Sequence, residues 1–296
     1  MNDLIFGVGV LSSAAPGQDP IGFAEEADRL GFDFVSAADH PCGSEPSYEI
    51  TAMLTWIAAR TSRNKVASRV LAVPFRRPAM VAKFATSLSL LSGGRLILGL
   101  GAGYSDQEVI AVGGPALTPG EKVDGLAEAI EVIRGAWTES GYTHDGRHHS
   151  AHELVMEPKP GRTIPVWLGT FGPRSLAVTG RLADGWIPSL GYMPLEEIPA
   201  MRRRIDAAAD AAGRDPAEII SILNLTVRVD PEAKPRADLV AGPAAQVVDQ
   251  LRSLLDLGFT GFNFLLSGTD RIDALQRVAE DVVTVLRADA GQTTSV

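Results

Sequence analysis

Apolar positions in this chain gather in short runs, and between the runs they recur every three or four residues. The runs are Leu4–Leu11, Phe32–Ala38, Val66–Pro74, Arg95–Gly101, Ile164–Thr170, Trp186–Leu190, Ser221–Val229 and Gly261–Ser267. Each is enriched in β-branched or aromatic residues and has a glycine, proline or polar break nearby, which predicts strands. Stretches such as RLILGLGAG and IPVWLG lack the alternation of a half-exposed strand, so both faces should be buried, as in a parallel sheet. A helical pattern follows each run: Pro20–Leu30, Tyr48–Thr61, Pro78–Leu91, Glu121–Trp137, Arg174–Ala183, Pro194–Ala212, Pro243–Leu257 and Asp270–Ala288. Asp19 precedes Pro20 as an N-cap before a proline at the first helical position. Gly31 and Gly258 stand where a helix ends in a left-handed residue.

Eight strand–helix units in succession have an economical solution: the strands close into a parallel (β/α)8 barrel and the helices form its outer ring. A doubly wound open sheet is the runner-up. The pattern predicts one barrel domain over 1–296, with 290–296 as a frayed tail. Two connections exceed ordinary loop length, Tyr104–Gly120 after strand 4 and Glu139–Arg162 after helix 4. The first should lie over the C-terminal mouth of the barrel. The second, with YTHDGRHH, reads as a hairpin around Asp145-Gly146 toward the bottom or side.

Composition narrows the function classes. Asp and Glu number 36 against 27 Lys and Arg, a net charge of −9, so no positive field favours nucleic acid or an anionic membrane. The single cysteine, Cys42, gives no disulfide framework and fits a reducing, cytoplasmic setting. No apolar run is long enough to span a bilayer, and the N-terminus reads as a strand and not as a signal peptide.

Active sites of such barrels lie at the C-terminal strand ends. There the sequence offers Asp39-His40 after strand 2. His40 is the only histidine outside 144–152 and hence the one evident proton carrier; a polar turn is the plainer reading of the pair. Gly99–Gly103 (GLGAG) suits close approach of a ligand to the backbone, or equally strand curvature and packing. Thr170–Ser175 (TFGPRS) runs into a helix whose free N–H groups could hold a phosphate, or is a plain N-cap turn. Arg76-Arg77 are either a solvated pair or partners of an anionic cofactor tail. His144, His148, His149 and His152 resemble a metal cluster by composition, but Asp145-Gly146 argues for a turn, so a surface hairpin is expected and no metal site. Trp56, Trp137, Trp167 and Trp186 suit a core; Phe75, Tyr104, Trp186 and Tyr192 are also candidates to line a partly apolar pocket.

Taken together, AEEADRLGFDFVSAADH, FRRPAMVAKFATSLSLLSGGRLILGLGAGY, IPVWLGTFGPRSLAVTGRLADGW, AAGRDP and LLDLGFTGF resemble the bacterial luciferase-like superfamily over about residues 4–285. The resemblance implies a luciferase-like (β/α)8 barrel, often a homodimer, that binds a flavin at its mouth. The Ala-Asp39-His40 ending of strand 2 is similar to the branch that uses the deazaflavin coenzyme F420, with FMN and monooxygenation as the alternative and a non-catalytic flavin-binding barrel as a second. By this resemblance Asp39 lies near the ring and His40 near the position of hydride transfer to or from a small organic substrate. Arg69, Val70 and Leu71 form a bulge carrying a non-prolyl cis peptide. Ala102 and Gln107 contact ring and ribityl chain, and Thr170, Phe171, Gly172, Arg174 and Ser175 form the phosphate loop. Tyr104, a second proton-carrier candidate, stands where the deazaflavin sugar-phosphate dehydrogenases have a glutamate, and Ala72 where they have a threonine. Both departures point away from sugar-phosphate oxidation.

Overall fold

The computed structural model describes residues 4–268 and 270–293. Eight parallel strands close on themselves: β1 (Ile5–Val10), β2 (Phe34–Ala37), β3 (Lys65–Ser68), β4 (Leu96–Gly101), β5 (Val166–Leu168), β6 (Gly185–Trp186), β7 (Ile220–Val229) and β8 (Gly261–Leu266). Closure is made by Ile5 opposite Gly261 between β1 and β8, while Ile220 opposite Gly185 joins β7 to β6. The open-sheet alternative is thereby excluded.

The helices that return each strand are α1 (Pro20–Arg29), α2 (Ile50–Arg60), α3 (Pro78–Leu91), α4 (Pro119–Thr138), α5 (Pro173–Leu182), α6 (Ile198–Ala211), α7 (Ala244–Leu255) and α8 (Arg271–Arg277). Alpha-helix α8 continues through a π-helical stretch, Val278–Val283, into Thr284–Thr293. The expected tail is thus helical as far as Thr293, and 294–296 lie outside the described residues. Caps set the helix starts. Asp19 accepts from Gly22 N–H before Pro20. Thr118 and Glu121 form a reciprocal capping box around Pro119, a device worth about 1 kcal/mol. No helix among the described residues is long and apolar enough to cross a membrane.

The apolar core has two layers. Phe34, Ala67, Ile97, Trp167, Ile187 and Ile222 pack inside the barrel, where the Phe34 and Trp167 rings meet edge to face at 5.3 Å. A larger cluster fills the space between sheet and helices. Two positions further along β2, β7 and β8, the interior turns polar. Ser36 donates to Asn263 Oδ1 (2.9 Å), and Asn263 donates to Asn224 Oδ1 (2.8 Å). Such a layer survives burial because its members satisfy one another. It separates the apolar plug from the mouth.

Four departures from the sequence pattern stand out. The third run is not one strand: it breaks after Ser68, resumes at Leu71–Ala72 and turns through a 3-10 helix at Val73–Phe75. The loop after β4 contains a short helix, Asp106–Ala111. An extra strand, Leu239–Gly242, extends β7 in parallel. The insertion after α4 is the expected hairpin, Tyr142–Asp145 against Ser150–Leu154. It does not stay at the bottom, however. Glu128 accepts from the backbone N–H groups of Arg147, His148 and His149, which folds the hairpin back along α4 toward its N-terminal end.

Candidate active site

The break in β3 shapes the mouth. The Arg69–Val70 peptide is cis, and the Val70 side chain lies against glycines of the neighbouring strands. A Cβ on Gly101 would come within 2.6 Å of Val70 Cγ2, and one on Gly169 within 3.5 Å of both Val70 methyls. A Cβ on Gly99 would strike the Ser68 carbonyl at 1.9 Å. Gly99 and Gly101 of GLGAG are therefore required by packing against the bulge. Leu71 is fully buried in the outer core, which leaves only its backbone to serve a ligand.

Asp39, at the end of β2, is buried and already occupied. It accepts both Arg76 nitrogens (2.7 and 3.0 Å) and the Ala72 N–H (3.0 Å), so it fastens strand 2 to the resumed strand 3. Arg76 also donates to Glu49, the N-cap of α2 (2.6 Å). Burial alone would raise the Glu49 carboxyl, but the Thr51 hydroxyl, the Ala52 N–H and Arg76 together hold it below its ordinary value. In the same way Asp39 and Glu49 outweigh burial and raise Arg76. Arg76 is thus not free to hold an anionic tail.

His40 is exposed at the rim, its Nδ1 3.0 Å from Oε1 of Glu108 on the short helix Asp106–Ala111. Ser105 caps that helix by accepting from Glu108 N–H (3.2 Å), and Cys42 Sγ lies 3.9 Å from the Glu108 carbonyl. A carboxylate on Nδ1 fixes the imidazole tautomer and leaves Nε2 for proton exchange. Glu108 has no signature in the sequence: it sits in a stretch that reads as loop. Tyr104 is 83% exposed, its ring edge-on to Tyr192 at 6.1 Å, and Tyr192 in turn stacks on Phe171 at 5.8 Å. These three aromatic rings form one wall. Ala102 is partly buried against the core, and Gln107 is exposed in the first turn of the short helix.

Thr170–Ser175 leads into α5 with Gly172 as N-cap. Thr170 is buried; its hydroxyl meets that of Thr179 (2.7 Å) and its carbonyl accepts from the Trp186 indole (2.9 Å). The Ser175 hydroxyl donates to the Gly172 carbonyl (2.9 Å), and Arg174 donates to Asp124 of α4 (2.6 Å). The Arg174 and Ser175 backbone N–H groups have no hydrogen bond among the described residues. Free N–H groups at a helix N-terminus are an anion-binding arrangement.

Two tryptophan expectations need correction. Trp186 does not line the mouth: it is buried and stacks on Phe259 in the outer core. Trp56 is not core: it is 60% exposed on α2. The hairpin histidines His148 and His149 line an outer cleft of about 410 Å³ together with Arg76, Arg77 and Lys122, and burial pushes His149 below its ordinary pKa. No group of three or more His, Cys, Asp or Glu suited to a metal is brought together among the described residues. A cavity of about 670 Å³ opens at the opposite, N-terminal end of the barrel, lined by Asp33, Arg63, Lys65 and Trp167. None of the candidate residues touches it, and the site is placed by strand ends, not by cavity size.

A closed parallel barrel with a histidine–carboxylate pair and an open helix N-terminus at its C-terminal rim defines a small-molecule enzyme of the (β/α)8 class. Residues 6–238 match the family described as luciferase-like monooxygenase, and the chain belongs to that family. It is 29% identical to an F420-dependent glucose-6-phosphate dehydrogenase of Kineococcus radiotolerans, over 90% of this chain and 92% of that one. It superimposes on an F420-dependent secondary alcohol dehydrogenase solved with an F420–acetone adduct, with TM-score 0.87 and 18% identity over 96% and 99% of the two chains. A monooxygenase, RslO1 from Streptomyces bottropensis, gives TM-score 0.81 and 21% identity over 96% and 100%.

Proposed function

We propose that this protein is an oxidoreductase that uses coenzyme F420 to move a hydride to or from a small organic substrate held at the barrel mouth. The observation that carries the reading is the His40–Glu108 pair beyond the end of β2, in a chain whose relatives include F420-dependent dehydrogenases matched over some nine-tenths of both chains. The residues fit a cofactor with a phosphorylated arm, since the free N–H groups of Arg174 and Ser175 can donate to its charged oxygens without displacing a protein bond. Phe171, Gly172, Ala102 and the backbone of Arg69–Leu71 would hold the rest. When bound, the cofactor supplies the hydride donor or acceptor. His40 would hold or take up the proton of a substrate oxygen at Nε2, with Glu108 orienting the ring. Tyr104 and Ala72 at their positions favour a substrate other than a sugar phosphate.

We also propose a homodimer. Met80, Phe84, Ser87 and Leu91 follow one another at helical spacing along α3, and Met80 and Leu91, like Trp56 of α2, are large apolar side chains left exposed.

Fluorescence titration of the purified protein with F420 and with FMN tests the cofactor. Saturable F420 binding with none for FMN is the expected result. The reverse would make the protein a monooxygenase of the same family, and no binding to either would leave a non-catalytic barrel.

A further inference from the structure

Arg69 is an arginine with nothing to bind. Its Nε is enclosed and lacks a hydrogen-bond partner, and no side-chain hydrogen bond or ion pair involves it among the described residues. Other basic side chains at the strand ends differ: Arg76 is spent on Asp39 and Glu49, Lys122 on Asp106 and Arg174 on Asp124, while Arg77 lines the outer cleft with His148 and His149. Burial lowers Arg69 to about 10, and the one group that acts against this is the Tyr192 phenol; no carboxylate does. The guanidinium therefore remains charged at neutral pH.

Strand alternation places this charge. The alternation holds as far as Arg69: Ala67, two residues earlier, belongs to the cluster inside the barrel, and past Arg69 the strand is broken, so that Val70 also packs against that cluster. Arg69 follows the last hydrogen-bonded residues of β3, and its N–H still donates to the Ala37 carbonyl of β2 (2.7 Å). Its side chain accordingly rises from the inner face of the barrel above the Ser36–Asn263–Asn224 layer, toward Tyr192. Arg69 as a whole is half-buried with its Nε enclosed; an unpaired, partly desolvated cation is costly to fold around, and a ligand of opposite charge recovers part of that cost.

We propose that the Arg69 guanidinium is an anion anchor in the substrate well, and that the substrate carries a carboxylate bound there beside the Tyr192–Phe171–Tyr104 wall. One guanidinium matches one monoanion, and its planar fork matches the two oxygens of a carboxylate. A phosphate dianion would call for a second free cation; Arg76, Lys122 and Arg174 are taken, and Arg77 belongs to the outer cleft with His148 and His149. The aromatic wall suits an apolar or aromatic body behind the carboxylate. This rests on the oxidoreductase reading for what happens to the substrate, but the anion site stands on the residues themselves.

Benzoate is the probe, with benzamide as its neutral isostere and phenyl phosphate as the dianionic control. Binding is measured calorimetrically on the apo protein and on protein saturated with F420. The expected order is benzoate tighter than phenyl phosphate, with benzamide weakest. Arg69→Met should weaken benzoate on the order of 100-fold, in the apo protein and in the F420-saturated protein alike, and benzamide far less. Arg69→Lys, which keeps the charge but not the fork, should fall between. Equal benzoate and benzamide affinity, unchanged benzoate binding in Arg69→Met, or a preference for phenyl phosphate would overturn the proposal. So would loss of F420 binding in Arg69→Met, which would assign the charge to the cofactor. Failure of the wild type to bind F420 would strike the oxidoreductase reading alone, since the apo measurements still judge Arg69.

Discussion

His40 stands 60% exposed on a rim loop, and an exposed imidazole without a partner would sample many orientations. Glu108 supplies the constraint, reaching it across 68 positions of sequence. If the carboxylate positions the ring, Glu108→Gln should lower kcat roughly tenfold with KM and F420 affinity unchanged, while His40→Ala should cost on the order of 100-fold. The double variant should be no worse than His40→Ala alone, because both act through one group. Steady-state kinetics on the three variants check this, and additive losses would show that Glu108 works independently of His40. His40 is legible in the sequence as a candidate because it is isolated from the other histidines. Glu108 is not, since nothing local marks a glutamate in a polar loop as the partner of a residue on another strand.

At the scale of elements, the mouth depends on how β3 and β4 accommodate each other. Gly101→Ala would press a methyl into Val70 at 2.6 Å, an overpacking that costs about 1–3 kcal/mol. It should lower the melting temperature and weaken F420 binding by displacing the bulge. Val70→Ala in the same chain should restore the melting temperature, since Cβ of Val70 is 3.8 Å away. Gly99→Ala should not be rescued by that second change, because its clash at 1.9 Å is with the Ser68 carbonyl and backbone cannot step aside. Thermal unfolding of the four variants distinguishes these outcomes. The glycine-rich run was visible in the sequence, but whether its glycines face a ligand or a neighbouring side chain depends on the path of β3, which the run Val66–Pro74 does not reveal.

The whole molecule is a ring, and its first and last units must meet. Besides the β1–β8 ladder, Gln276 of α8 donates to Glu26 of α1 (3.0 Å), and Arg287 donates to Asp33 at the start of β2 (2.9 Å). The helices leave Met80 and Leu91 of α3 and Trp56 of α2 exposed. If these form a subunit contact, light scattering should give twice the 31.3 kDa chain mass, and Met80→Glu combined with Leu91→Glu should give the chain mass itself with the fold intact. A monomeric wild type would remove the homodimer proposal.

The sequence by itself determined the succession of strands and helices, because hydrophobic period and capping are properties of neighbouring residues. Eight buried strands with returning helices leave few ways to close. It also marked His40 and the glycine-rich and TFGPRS loops, since strand ends in such a barrel collect at one rim. Only the tertiary structure decided what those residues touch. It tied Asp39 to Arg76, paired His40 with Glu108, seated Val70 on its glycines, turned the histidine hairpin back along α4 and left the Arg69 Nε enclosed without a partner. Each of these outcomes depends on side chains that meet only when the ring closes, and whether a charge is satisfied or stranded is settled by that meeting and not by the local pattern.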